Sequence, residues 1–540
     1  MHYHRLSVIS VLSTALLACL GAPLEPRWDD MLVKHTWDDV PSKWESLGSP
    51  AGNTTIDLHF ALKPHRENAL VDALFDVSDP RRSTHVLLTA HSSARACTHV
   101  VTLSIFRYGA HLSREQVAQL VAPHPDTFRL VKSWLQHHGL SSSISMTHGG
   151  GWMTVTGVPV SLADDLLGAS YQLYRYTGTN ETNKTILRTV SYALPAVLHA
   201  HVQTVSPTTY FAPPHTLQQT PRKLSREDVA TKANAIKANA ISAEPLAARW
   251  GAINGVVPEF VRWLYKTTNY VPTSPDNVLA VVGFESDLPS QEDLTVFMTN
   301  LRTGAEDATF VILPVNGGPS EYNPMKPSLE ANMDIQYAEA ITYPVQHVYY
   351  SAGGQAMANI DNNEPSRGDR YLEWLNYILS QQYIPQTISI SYGVEERIVP
   401  LEYAIALCEL FVHLGARGTS VLFASGDDGV GPEECRDDSG DAQFVPNFPA
   451  SCTCSIILSL LASTEYKFAY QISTVSQVPL LQALAALRAS CPRSRRASPG
   501  AASRTIFNAL PTRMLLCTTT SNVPTTCVTA GTSAFSLPWT

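Results

Sequence analysis

From about Val256 onward, short apolar runs alternate with amphipathic stretches, and this alternation constrains the fold more than any other feature of the chain. The apolar runs are Val278 to Phe284, Phe310 to Val315, Gln346 to Tyr350, Thr387 to Ser391 and Val421 to Ser425. Helical spacing occupies Gln291 to Leu301, Ser328 to Ile341, Asp369 to Gln382 and Pro400 to Ala416 between them. A strand that is apolar on both faces needs cover on both, so the pattern predicts a doubly wound parallel sheet between two helix layers. Functional groups in such a sheet gather at the carboxyl ends of the strands. Neither GxGxxG nor GxxxxGK[ST] accompanies the strands, so nucleotide binding has no motif to rest on.

The N-terminal part has another texture. Residues 1–22 combine His and Arg, an apolar run from Val8 to Leu20 and small residues at Gly21 and Ala22, the layout of a cleaved secretory signal. The run is too short for a membrane anchor, and no other stretch reaches spanning length. Thr55 to Lys63 alternates as a strand, and Asn68 to Val77, Ser113 to Val121 and Asp126 to His137 carry helical spacing. Strand-like runs follow at Trp152 to Val158 and Ala169 to Tyr176, and Val202 to Phe211 closes an α+β unit over 23–211. Residues 81–107 show no clear period and read as an insertion. Residues 212–255 form a Pro-, Ala- and Lys-rich linker. Lys plus Arg number 38 against 47 Asp plus Glu, with no dense basic run, which argues against a nucleic-acid partner. Eight of the nine cysteines remain after Cys19 leaves with the signal, and the sequons at Asn53, Asn180 and Asn183 fit an exported glycoprotein. The cysteine pairing is not deducible from the sequence.

Glu330 and Asp334 stand four apart on the helix read from Ser328, which puts two carboxylates on one face. A solvated acidic helix start is the bland alternative. After the strand ending VLFAS comes Gly426-Asp427-Asp428-Gly429, an acidic turn whose alternatives are an ordinary βα turn or a metal loop.

Three stretches resemble one family, the sedolisins or serine-carboxyl peptidases, and within it the secreted fungal tripeptidyl peptidases. Tyr108-Gly-Ala-His-Leu-Ser113, VAPHPDTFRLVKSWL and VQTVSPTTYF are similar to the family's propeptide. NVLAVVGF, DLTVFM and Glu330-Ala-Asn-Met-Asp334-Ile-Gln-Tyr337 are similar to the start of its peptidase domain, and ISISYGVEE, LGARGTSVLFASGDDGVG and FVPNFPASC continue it in family order. The resemblance implies a subtilisin-like doubly wound parallel sheet over 256–452, incomplete at its C-terminal end and preceded by a ferredoxin-like α+β propeptide. It makes Glu330 the general base, Asp334 its carboxylate partner and Asp427 the acid of the oxyanion hole. It also implies polypeptide substrates, removal of tripeptides from free N-termini, an acid-activated secreted zymogen inhibited by its own propeptide, and bound calcium. A carboxylate suits acid, where histidine is protonated, and an oxyanion-hole Asp donates only while it holds its proton.

The resemblance fails near the end of the chain. The family's nucleophile sits in GTSxSxP, followed by a long helix and a calcium loop. Here Gly531-Thr-Ser-Ala534 places Ser533 at the motif position, but the sequence stops at Thr540. No calcium ligands are identifiable. After Cys452 the expected pattern vanishes, and a constant shift of reading frame turns residues 492–519 into sequence similar to the family's. Residues 453–540 therefore read as an aberrant, out-of-frame segment, and the polypeptide as written is expected to be inactive and to fold incompletely. Two other readings stand beside the peptidase. One is a noncatalytic secreted binding or inhibitory protein that retains the propeptide module. The other is a metal-dependent hydrolase using Asp427 and Asp428, for which no HExxH or comparable spacing is present.

Overall fold

The computed structural model describes residues 27–79, 83–91, 98–140, 143–177, 184–211, 257–284, 287–325, 328–353, 358–359, 369–424, 446–452, 515–518 and 526–529. The signal, the linker, Asp427 and Ser533 lie outside the described residues.

The N-terminal unit opens with β1 (Met31–Thr36), β2 (Trp44–Gly48) and β3 (Thr55–Leu62), then α1 (Ala69–Ser78). A hairpin of β4 (Ser83–His91) and β5 (Thr98–Phe106) follows, then α2 (Arg114–Val121), α3 (Pro125–His137), β6 (Ile144–Met146) and β7 (Trp152–Pro159). It ends with α4 (Val160–Leu167), β8 (Gln172–Tyr176), β9 (Lys184–Arg188), β10 (Ser191–Pro195) and β11 (Val202–Ser206). Its main sheet is antiparallel in the order β11-β3-β7-β6. Alternation along β3 gives the sheet two different faces. Ile56, Leu58, Phe60 and Leu62 turn to one side, where Val131, Trp134 and Leu135 of α3 and Ala163, Leu166 and Leu167 of α4 bury them. Ser113 caps α2 through a reciprocal capping box with Gln116.

The segment read as an insertion is a hairpin of two nine-residue strands, and among the described strands β4 and β5 pair only with each other. Its period escapes the sequence because Val86-Leu87-Leu88 and Val100-Val101 are contiguous apolar runs that show no alternation.

The second unit contains α5 (Pro258–Leu264), β12 (Val278–Gly283), α6 (Gln291–Leu301), β13 (Phe310–Val315), α7 (Leu329–Thr342), β14 (Gln346–Ala352) and β15 (Ala358–Asn359). It continues through α8 (Arg370–Ser380), β16 (Thr387–Ile390), β17 (Val394–Glu395), α9 (Leu401–Ala416), β18 (Ser420–Phe423) and β19 (Asn447–Phe448). A separate hairpin of β20 (Leu515–Thr518) and β21 (Thr526–Thr529) lies beyond it. Five strands make a wholly parallel sheet in the order β13-β14-β12-β16-β18, so the chain starts at the centre, builds one side and then crosses to the other. Ala280 and Val282 of β12 face α8 and α9, whereas Val281 faces Ala331 and Ile335 of α7. The doubly wound α/β architecture expected from the alternation is the one present, and each expected strand and helix there lies within a few residues of its place.

The two units share a core. Ala61 of β3 and Trp152 of β7, on the face opposite α3, join Tyr210 in one apolar cluster with Tyr403, Ala406 and Leu410 of α9. Tyr210 stacks on Tyr403 with ring centroids 4.6 Å apart. The Leu112 N–H donates to Ala416 O at the carboxyl end of α9 (2.9 Å), and Arg114 Nη1 donates to Ser380 O at the end of α8 (2.7 Å). Gly418 has φ +94°, and a Cβ there would lie 2.8 Å from the His111 ring. The two-residue β15 pairs antiparallel with β9 and so adds a strand of the second unit to a sheet of the first.

A disulfide joins Cys408 of α9 to Cys452, 44 residues away in sequence. Closing a loop of that length restricts the unfolded chain by about 4 kcal/mol in the chain-entropy treatment. Cys408→Ser should lower the unfolding free energy by about that amount in a denaturant titration. A reductant should erase the difference between variant and parent, and equal midpoints under oxidising conditions would mean that the cross-link contributes nothing.

Candidate active site

The site is built where α7 begins and where β12 and β16 end. Ser328 accepts a hydrogen bond from the Ala331 N–H (3.2 Å) and starts α7 one residue after the expected position. Ala331 and Ile335 hold the helix against Val281 and Tyr349, and this packing fixes the rotation of the neighbouring face that carries Glu330 and Asp334. Glu330 is only 7% exposed, which excludes the solvated helix start.

Ser391, the residue after β16, donates from Oγ to Asp334 Oδ1 at 2.8 Å. Asp287 follows β12 and accepts from Tyr392 Oη at its carboxylate (3.0 Å) and from Tyr349 Oη at its carbonyl (2.9 Å). Gly283, the last residue of β12, makes this crossing possible, because a Cβ there would fall 1.7 Å from Tyr349 Oη.

Burial pushes the Asp334 carboxyl up from 3.8 to about 8, with the Glu330 charge adding to the rise, the Ser391 hydrogen bond opposing it and Asp287 contributing a little more. The hydroxyls of Tyr349 and Tyr392 are raised well above their ordinary 10, first by burial and then by charges that include Asp334 and Asp287. Three acids so close together cannot all ionise, and a proton stays in the group. Asp334 is the carboxyl that burial and its neighbours favour as the proton holder.

The structure therefore brings together Glu330 and Asp334 as the sequence expects. Asp427 and Ser533 fall outside the described residues, so their place relative to the pair is not part of this geometry. Asp287, Tyr349, Ser391 and Tyr392 were assigned no role from the sequence. Ser391 and Tyr392 lie inside the ISISYG stretch, whose family likeness was the only available signal. Nothing in the spacing of Asp287 marks it. Among the described residues no group of three or more His, Cys, Asp or Glu is arranged to hold a metal ion. No helix among the described residues is long and apolar enough to cross a membrane.

These features define a doubly wound α/β domain with a buried carboxyl pair, to which an N-terminal unit of the same chain is docked. Comparison with known proteins makes the class specific. Residues 89–211 match the family described as pro-kumamolisin, activation domain. Tripeptidyl-peptidase SED2 of Arthroderma otae is 27% identical over 467 residues, covering 85% of this chain and 72% of that protein. A probable tripeptidyl-peptidase SED2 of Trichophyton verrucosum is 28% identical over 448 residues, covering 81% and 68%. Among solved structures, Pseudomonas sedolisin, a serine-carboxyl proteinase complexed with two molecules of pseudo-iodotyrostatin, is 16% identical with a TM-score of 0.27, covering 37% of this chain and 52% of that one. Much of the N-terminal unit is thus similar to an activation domain. Over most of its length the chain is similar to tripeptidyl peptidases.

The raised carboxyl makes stability depend on pH in a definite direction. Folded Asp334 keeps its proton where the unfolded chain loses it, so stability falls as pH rises from about 4 to 8. Asp334→Asn should add up to about 5 kcal/mol at pH 8, change little at pH 4 and flatten the melting-temperature profile between them. A variant profile parallel to the parent's would show that Asp334 is ionised in the fold. Gly283→Ala should cost about 1–3 kcal/mol in the same measurement by forcing Tyr349 off Asp287.

Proposed function

We propose that the chain is built as the zymogen of a secreted, acid-acting serine-carboxyl peptidase that releases tripeptides from the free N-termini of polypeptides. The observation that carries this reading is the Glu330–Asp334 pair, buried together at the strand ends with Asp334 raised to about 8. Glu330 would take the proton of a serine hydroxyl as it attacks the scissile carbonyl, and would return it to the leaving amine. Asp334 would hold Glu330 in place and keep one proton within the pair. Asp427 would donate its own proton to the developing oxyanion, which requires acid. Ser533 is the residue at the family's nucleophile position. The tripeptidyl specificity is taken from the names of the relatives, and export from the signal-like residues 1–22. The exposed sequon at Asn53 and the Cys408–Cys452 disulfide fit a secreted product. Calcium remains an expectation from the family, without ligands among the described residues.

The test is release of a tripeptide from a fluorogenic tripeptidyl amide by the full chain between pH 3 and 7. If residues 453–540 complete the site, turnover appears only in acid and drops ~10³-fold in Glu330→Gln; no turnover at any pH is the outcome expected if that segment is out of frame. Loss of activity in Ser533→Ala would identify the nucleophile, and retention would exclude that residue. If the chain turns over nothing at any pH but binds and inhibits a related peptidase, the noncatalytic propeptide-module reading replaces this one.

A further inference from the structure

Two helix layers meet at the carboxyl ends of the strands, and a phenol hydroxyl reaches from one toward the other. The ladders that pair β16 with β12 and β18 end at Ile390. Side-chain hydrogen bonds hold the next two residues. Ser391 Oγ donates to Asp334 Oδ1 on α7 (2.8 Å), and Tyr392 Oη donates to the Asp287 carboxylate (3.0 Å). From the opposite layer, Tyr371 Oη on α8 donates to the carbonyl oxygen of Tyr392 (2.5 Å). Tyr371 and Tyr392 are both buried, and a buried carbonyl that loses its donor is driven to move toward another.

The phenol is aimed from a fixed base. Asp369 Oδ1 accepts from the backbone N–H groups of Tyr371 (3.0 Å) and Leu372 (3.4 Å) and so caps α8. Leu372, Trp374, Leu375 and Ile378 pack that helix into one apolar cluster with Ala280 and Val282 of β12 and Ile388 and Ile390 of β16. The Tyr371 ring lies against Phe284 with centroids 4.8 Å apart, and Phe284 meets the Tyr392 ring edge-on at 5.2 Å. Replacing Tyr371 by Phe would keep this packing and remove the hydrogen bond alone.

We infer that Tyr371 is a positioning residue for the buried carboxyl pair: its hydroxyl anchors the Tyr392 carbonyl and so keeps Ser391 within reach of Asp334. Tyr392 leaves little slack between the two contacts, because one planar peptide joins it to Ser391 and Asp287 holds its side chain. The groups that face Asp334 are Glu330 on α7 itself, Asp287 after β12, and the hydroxyls of Tyr349 on β14 and Tyr392 after β16. Burial, Glu330 and Asp287 all raise the Asp334 carboxyl, and the Ser391 bond opposes its rise to about 8. Loss of the anchor therefore pushes the carboxyl higher still. A carboxyl raised by folding takes stability away as the pH climbs from its unfolded value, about 4, to its folded one. Without the anchor, that decline runs on past pH 8 instead of levelling off there.

The part this placement plays in catalysis rests on the peptidase reading, but its readout is a stability and needs no turnover. Denaturant titrations of the full chain from pH 4 to about 10 would compare the parent with Tyr371→Phe, with Ser391→Ala and with the two combined, each also in an Asp334→Asn background. The pH at which the decline levels off should move up by about one pH unit in either single variant and no further in the double. With Asp334→Asn the movement should be absent. A Tyr371→Phe profile that runs parallel to the parent's, lower by the same amount at every pH, is what a merely structural hydroxyl gives, and it overturns the inference. Should Tyr371→Phe fail to fold, the 13C resonance of Tyr371 Cζ in the parent decides. It should shift as Asp334 ionises and stay still in Ser391→Ala, because coupling between two sites is reciprocal. A resonance indifferent to that ionisation overturns the inference. The expected movement without peptidase activity supports the inference and counts against the peptidase reading alone.

Discussion

Two carboxylates one turn apart on a buried helix face repel each other, and the α/β domain is organised around containing that repulsion. α7 cannot rotate away, because Ala331 and Ile335 lock it against Val281 and Tyr349. Nor can the carboxyls escape into water, since Glu330 is buried and Ser391 ties Asp334 to the end of β16. What remains is to hold a proton. Asp287 extends the same logic across the sheet, with its carbonyl and carboxylate each taking a tyrosine hydroxyl and Gly283 clearing the space that one of those rings needs. The cost of concentrating charge in a dry place is met by raising Asp334 until it keeps a proton.

The second organising element is a sheet with two employments. β3 alternates between a face that closes the activation domain's own core and a face that completes the core of the neighbouring domain. Neither domain is finished alone on that side, and the polar groups that line the join are therefore set by docking. Leu112 and Arg114 add directional contacts at the ends of α9 and α8, where helix carbonyls lack partners of their own. Arg417 does the same from within the α/β domain, donating to the carbonyls of Leu379, Gln381 and Gln382.

Much of this was legible in the sequence, and the exceptions have physical reasons. Runs such as Val278–Gly283 and Phe310–Val315 are apolar on both faces and admit one architecture, and Ser113 and Ser328 announce their helices by cap chemistry. The Glu330–Asp334 pair was readable because spacing on a helix converts directly into proximity. Asp287, Ser391 and Tyr392 were not, since they meet only through the order of the parallel strands, which no local pattern encodes. The hairpin over 83–106 was missed because unbroken apolar runs hide a strand's period, and β1, β2 and β10 because they are short and their sides unevenly covered. The cysteine pairing needed the placement of α9 beside Cys452.

The loan of β15 to β9 has a consequence for the order of events after separation. While docked, the backbone of Thr185 and Lys184 is engaged by Ala358 and Asn359. Were the N-terminal unit to separate, it would leave that strand behind and bare the β9 edge, whose amides and carbonyls would be open to another extended segment. Parting is thus asymmetric: the fragment that leaves is adhesive, and its fate depends on how quickly something else covers the edge or cuts the strand. In such a separation return would compete with every other strand the exposed edge could meet.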